Sequence, residues 1–304
     1  MTKQVTILTG DPTVIPIAEM QLNTLGIEDM IGWVKEHRPE CVPEEQEETL
    51  SSPPRWVQLF PHDGTDENTG RELTANELLV ELAGRKCYDS FGLKAGRKSN
   101  KEYIENTQSG DIPHASVMYH AKMSFFFAGI SRRVSHEIIR NYVGADRDEE
   151  GSPSQESTRF THHYGFFIEP PRYLGAGQLE PEDTRAMAHR RRMMRHFKES
   201  MQVAYDNYLE AVELEVLEWQ RVHGKLPTSI DKKRIYEAAS SFLPHQAETS
   251  FIWTTNPSAI AKFVRERANN AADLEIQRFA KKWRKVCVDR WPNLFPQPWM
   301  KVKE

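Results

Sequence analysis

The chain has too few cysteines for a disulfide framework: three in 304 residues. Cys41, Cys87 and Cys287 are an odd number, at spacings that match neither paired bridges nor zinc-ligand doublets, so no metal centre is expected. They read as reduced thiols, two of them packed as small hydrophobes. Long hydrophobic runs are also missing. The longest, around Met123–Ile130, falls far short of the ~20 residues a bilayer span needs, and the amino terminus lacks the pattern of a secretory leader. A cytoplasmic protein with no membrane partner is expected. Nor is there an excess of cation: 40 Lys and Arg against 44 Asp and Glu leave a net charge of -4, which argues against a nucleic-acid partner held by phosphate neutralisation. The glycine-rich dinucleotide and P-loop signatures, the nucleophile-elbow serine and the paired-histidine zinc motif are all absent. What is present is apolar material, 38% hydrophobic and 10% aromatic, sufficient for a sizeable core in one large domain or two average ones.

Organisation changes near residue 73. After a short strand-like start at Val5–Leu8, prolines at 39, 43, 53, 54 and 61 and the acidic run Glu44–Glu48 interrupt the chain, so residues 1–72 read as an extension packed on a body comprising residues 73–304. That body opens at Thr74, whose spacing to Glu77 is that of a capping box. Leu78, Leu79, Leu82 and Cys87 then mark one face of a helix running to about Tyr88. Met123, Phe125 and Phe127 suit a buried strand. Ser131 can cap the next helix, which sets Arg132, Arg133, His136, Glu137 and Arg140 opposite Val134, Ile138 and Ile139. Thr184–Arg221 carries Met187, Met194, Phe197, Met201, Tyr205, Tyr208 and Leu217 in helical period. A second helix spans Ile235–Leu243, Phe251–Thr255 is a short strand, and Asn256–Pro257 open a helix expected to continue to about Val286.

The densest polar cluster is Ser152, Ser154, Gln155, Ser157 and Arg159, whose hydroxyls, amide and guanidinium can serve phosphate oxygens and a base edge. By composition alone it is equally a polar surface turn. Arg132 and Arg140 form either a phosphate clamp or salt bridges to Glu137 and surface carboxylates. His120, beside an aromatic strand, reads as a core histidine, and His162–His163 as structural. Arg190–Arg192 reads as a solvated helix face. Arg265 and Arg267 lie two apart, so only one of them can point into a given cleft.

Taken in order, these segments resemble the flavin-dependent thymidylate synthases. The resemblance rests on AGRKCYDS at Ala83–Ser90, the strand and helix His114–Arg140, the spacing Ser152-x-Ser154-Gln155-x-Ser157-x-Arg159-Phe160, and FLPHQAET at Phe242–Thr249. Trp253–Asn256 and Arg267 followed by Ala272–Ile276 complete it. It spans roughly residues 75–290. It implies an α+β fold, a mixed or antiparallel β-sheet flanked by helices, assembled as a homotetramer with ligands at subunit interfaces. It also implies FAD as cofactor, NADPH and methylenetetrahydrofolate as co-substrates, and transfer of a one-carbon unit to C5 of a pyrimidine nucleoside monophosphate, dUMP by default. Carried over by position, Arg132, Glu137, Gln155, Ser157 and Arg159 hold the nucleotide. Arg267 stabilises negative charge developing on the uracil ring. His120, Arg140, Asn141, Ser152, Asn256 and Lys262 contact flavin or folate.

Departures from the family pattern raise alternatives. Asn141 and Tyr142 replace a histidine and an arginine, and seven additional residues precede Ser152. Ser240 stands where the family places its phosphate-binding arginine, and Arg147 on the inserted loop is the expected substitute. Ala271 replaces a histidine, and Tyr119 a glutamate. The open alternatives are a UMP C5-methylase, a dUMP hydroxymethylase, a non-catalytic nucleotide-binding module and an RNA binder using the Arg190 region.

Overall fold

The computed structural model describes residues 4–38, 59–88, 90–91, 96, 98–108, 114–143, 153–170, 184–296 and 300, with the backbone alone of 115 and 140–143. Its centre is an antiparallel sheet in the order β2–β3–β6–β4, built from β2 (Thr13–Glu19), β3 (Met123–Ser131), β4 (Pro153–Gln155) and β6 (Glu248–Thr255). A separate parallel pair joins β1 (Thr6–Leu8) to β5 (Phe166–Ile168). The helices are α1 (Thr24–His37), α2 (Ala75–Tyr88), α3 (Asn100–Gln108), α4 (Arg132–Val143), α5 (Thr184–His223), α6 (Ser229–Ala239), α7 (Pro257–Arg267) and α8 (Leu274–Arg290). The architecture is α+β, with sheets flanked by helices, as the sequence implies.

Alternation along β3 decides which face of the sheet is covered. Met123, Phe125 and Phe127 are fully buried, and they meet Phe251 and Trp253 of β6 together with Phe263, Phe279 and Trp283 of α7 and α8. Trp283 lies at the middle of this cluster, with ring centroids 5.1 Å from Phe127, 5.3 Å from Trp253 and 5.4 Å from Phe125. Aromatic pairs of this kind contribute about 0.5–1.5 kcal/mol each beyond area burial. On the opposite face Ile15, Ile17 and Ile252 are exposed. The pairing of β3 with β6 slips between Phe127 and Ile130. Gly129 sits at that bulge with φ +69°, a conformation that favours glycine, and its N–H donates to Glu248 Oε1 at 2.8 Å.

Residues ahead of the expected boundary at 72 are built into the molecule at two places. β2 is an edge strand of the central sheet, and Ile31 and Val34 of α1 share a second core with Leu73, Leu78, Leu82 and Phe91.

Local starting signals act as expected. Thr74 and Glu77 exchange capping bonds, Ser131 Oγ accepts the Val134 N–H, and Asn256 Oδ1 accepts the Ala259 N–H with Pro257 following.

Three expectations are corrected. The helix from Pro257 does not run to Val286. It ends at Arg267, because Asn269 turns its side chain onto the Glu266 carbonyl and the Ala271 N–H, and Asp273 caps a new helix. Cys87 is exposed, Cys287 is buried, and Cys41 lies outside the described residues. The buried face of α2 is instead largely polar, comprising Asn76, Glu77, Glu81 and Arg85 beside Leu78, Val80 and Leu82. Finally, of the 40 residues of α5 only Met201, Tyr205 and Tyr208 are buried, while Met187 and Leu217 face outward.

Candidate active site

Two main-chain bonds fix the head of α4, from Arg132 N to Ala247 O and from Arg133 N to His245 O, both 3.0 Å. They aim the Arg132 side chain at a small pocket lined by Glu156, Thr158, His162, His163 and Glu248. There its Nη1 donates only a long bond, 3.5 Å, to the Glu156 carbonyl. No carboxylate among the described residues lies within ion-pair distance of it. Burial pulls this guanidinium below its usual pKa, with the Glu156 charge partly offsetting. Burial also raises Glu248, helped by Glu156 and opposed by the Gly129 N–H. It pushes His163 down to about 4, assisted by the His162 and Arg132 charges. His163 offers its main-chain N–H to Tyr208 Oη at 3.1 Å, and His162 Nδ1 lies 3.3 Å from the same oxygen. The pair thus anchors the loop against α5.

Gln155 ends β4, opposite Phe251 of β6. Its Nε2 donates to Ser135 Oγ at 2.9 Å and to Thr249 Oγ1 at 3.0 Å. Both amide hydrogens are thereby held, which orients the group and leaves its carbonyl oxygen as acceptor. Ser157 opens the next turn, its carbonyl accepting from Phe160 N and Thr161 N. Arg159 is half exposed, 3.9 Å from Glu237. Glu137 is half-buried on α4 and Lys262 half-buried on α7. Arg267 is the last residue of α7, and its buried Nε has no hydrogen-bond partner.

The residues expected to face a cofactor are less gathered. His120 ends a 3-10 turn and is exposed, which corrects its reading as a core histidine. Asn256 is fully buried with its carbonyl oxygen capping α7, so within this chain it offers a ligand no surface; what it fixes is the direction of α7. Arg140 and Asn141 lie in the last turns of α4 with side chains outside the described residues, as are Arg147 and Ser152 entirely. Arg190 of the basic run pairs with Glu169.

The donor chemistry fits a phosphate-bearing ligand. Arg132 and Arg267 are both cations taken partly out of water with no ion pair to a carboxylate among the described residues, an arrangement an anion completes. Sequence reasoning missed the hydroxyls of Ser135 and Thr249 that fix Gln155, and it missed Glu248. Ser135 lies on α4 whereas Glu248 and Thr249 open β6; the segment Phe242–Thr249 marked the last two as part of the family pattern, but not that they would meet Gln155 or Arg132.

Residues 71–293 match the family model described as thymidylate synthase complementing protein. A flavin-dependent thymidylate synthase of Mycobacterium sp. (strain KMS) is 32% identical over 204 residues, covering 66% of this chain and 72% of that one. The Corynebacterium aurimucosum enzyme of the same name is 28% identical over 233 residues, covering 76% and 84%. A solved thymidylate synthase X from Helicobacter pylori, described with FAD and dUMP, is 18% identical with a TM-score of 0.46, covering 73% of this chain and 95% of that one, a likeness too distant to place individual residues. This chain therefore belongs to the flavin-dependent thymidylate synthases, a family of enzymes. Among the described residues no helix is long and apolar enough to cross a membrane.

Proposed function

We propose that the protein transfers a one-carbon unit from methylenetetrahydrofolate to C5 of a uridine monophosphate, dUMP by default, using FAD and NADPH, as a cytoplasmic homotetramer. The observation that carries the nucleotide reading is Arg132, half-buried at a pocket with a single long bond to a main-chain carbonyl. A nucleotide phosphate supplies the charge it lacks. Gln155, oriented by Ser135 and Thr249, directs its carbonyl oxygen at an N–H of the base. Ser157 and Arg159 bracket the same ligand from the turn that follows β4. Arg267 holds negative charge on the uracil carbonyl oxygen as C5 becomes nucleophilic, and a preset donor in a water-poor site is worth far more there than in solution. Bound flavin supplies the redox and one-carbon chemistry, which no side chain here can provide.

The exposed apolar residues of the outer sheet face and of α5 support burial against further copies of the chain. Arg147 is proposed as a second cation for the phosphate, taking the part of the arginine that Ser240 replaces. The deciding experiment incubates purified protein with FAD, NADPH and methylenetetrahydrofolate and with dUMP, UMP or dCMP in turn, reading products by mass. Methylated dUMP is expected. A methylated UMP or a hydroxymethyl product selects one of the variant activities, and nucleotide binding without any product leaves the binding-module reading.

A further inference from the structure

Arg133 has no part in the nucleotide reading above, yet it makes a two-pronged ion pair beside Arg132. Its Nη1 donates to Asp273 Oδ2 at 2.8 Å and its Nη2 to Asp273 Oδ1 at 3.0 Å, a fork on one carboxylate. Nη2 also reaches Glu275 Oε2 at 3.2 Å. Glu275, almost fully buried, accepts in addition the Ser131 N–H at 2.8 Å and the Ser131 hydroxyl at 2.9 Å. Asp273, which Arg133 binds directly, and Ser131, which it reaches through Glu275, each cap a helix. Ser131 Oγ accepts the Val134 N–H at the head of α4, and Asp273 Oδ1 accepts the Glu275 N–H at the head of α8. One guanidinium thus ties together two helix starts that are remote in sequence.

Both cations of the proposed site flank this knot. Arg132 is the residue before Arg133, and Arg267 ends the helix just ahead of the turn that leads into Asp273. We propose that Arg133 is a positioning residue, whose fork on Asp273 and contact with Glu275 fix Arg132 and Arg267 relative to one another so that both reach one nucleotide. Its side chain is 32% exposed and that of Asp273 28%. A pair this open adds little to stability, so its two-pronged geometry matters more than its charge. Lysine carries the same charge but cannot form the fork.

The inference rests on the nucleotide reading, and the test separates the two. In the FAD-loaded protein, dUMP affinity is measured by calorimetry and by the change that dUMP makes in the flavin absorbance, beside kcat, KM, FAD affinity and Tm. Arg133→Lys and Asp273→Asn, the latter keeping a capping oxygen, are each expected to weaken dUMP about tenfold to a hundredfold, with FAD affinity and Tm near those of the parent. The double variant is expected to be no worse than either single, since both break one contact. Wild-type dUMP affinity in the two singles, or losses that add in the double, overturns the proposal. Arg132→Ala and Arg267→Ala serve as controls. If they too bind dUMP normally the nucleotide reading itself fails, whereas if they alone lose it the positioning role fails and the site stands.

Discussion

Glu81 is the residue on which the buried polar face of α2 converges, and removing it tests how much that face matters. Its side chain is 0% exposed, and those of Arg85 and His62 are 1% exposed. Arg85 Nε donates to Glu81 Oε1 at 2.7 Å, and Asn100 Nδ2 donates to Oε2 at 2.7 Å, where His62 Nε2 also lies, at 2.9 Å. Removing the carboxylate takes from Arg85 its buried ion-pair partner; the Ser90 carbonyl at 3.2 Å and the Tyr103 ring at 4.5 Å, which stay beside it, carry no negative charge. Breaking a buried pair by deleting one partner costs about 3–5 kcal/mol, a large share of the roughly 5–15 kcal/mol that holds a domain folded. Glu81→Leu should therefore lower Tm by on the order of 10 °C. Adding Arg85→Met removes the cation that faced the carboxylate and should recover about 2 kcal/mol. Recovery stays incomplete because His62 and Asn100 still lack their acceptor. Urea unfolding at fixed protein concentration, run on the two singles and the double, measures the coupling directly. A loss below about 1 kcal/mol for Glu81→Leu, or single losses that simply add, would refute the reasoning.

Gly165→Ala places a methyl group 2.8 Å from Tyr205 Cε1 at a backbone φ of +79°; with Tyr205 fully buried, about 2 kcal/mol or more of destabilisation is expected in urea melts, and a neutral result would mean the loop shifts freely. His163, held near 4 against an ordinary 6.5, is favoured neutral by the fold. The unfolded chain binds its proton first, so stability from this group is complete above about pH 6.5, falls as pH drops towards 4 and changes no further below that. His163→Gln should flatten urea-derived stability between pH 4 and 6.5 by up to about 3 kcal/mol, and an unchanged slope would locate the acid sensitivity elsewhere.

Much of this molecule is written locally. The starts of α2, α4 and α7 follow from Thr74, Ser131 and Asn256–Pro257, because a helix begins where a side chain can satisfy its free N–H groups. The two-residue alternation of β3 chooses the covered face of the sheet, and ordered motifs from Ala83 to Ile276 indicate the family before any fold is seen. The helix break at Asn269–Asp273 was also present as polar residues, but the apolar period continues across it, so spacing alone reads one helix where the local caps of Asn269 and Asp273 make two. What only the tertiary structure decided is contact between distant parts of the chain. β2 joins the central sheet from the far side of the expected boundary, Glu81 rather than Cys87 proves to be the inward residue of α2, Gln155 is held by Ser135 and Thr249, and Arg133 grips Asp273. A side chain's period says which way it points from its own element. Which element comes to meet it depends on how the sheet and helices pack, and that is where Arg132 acquires a pocket while making no ion pair among the described residues.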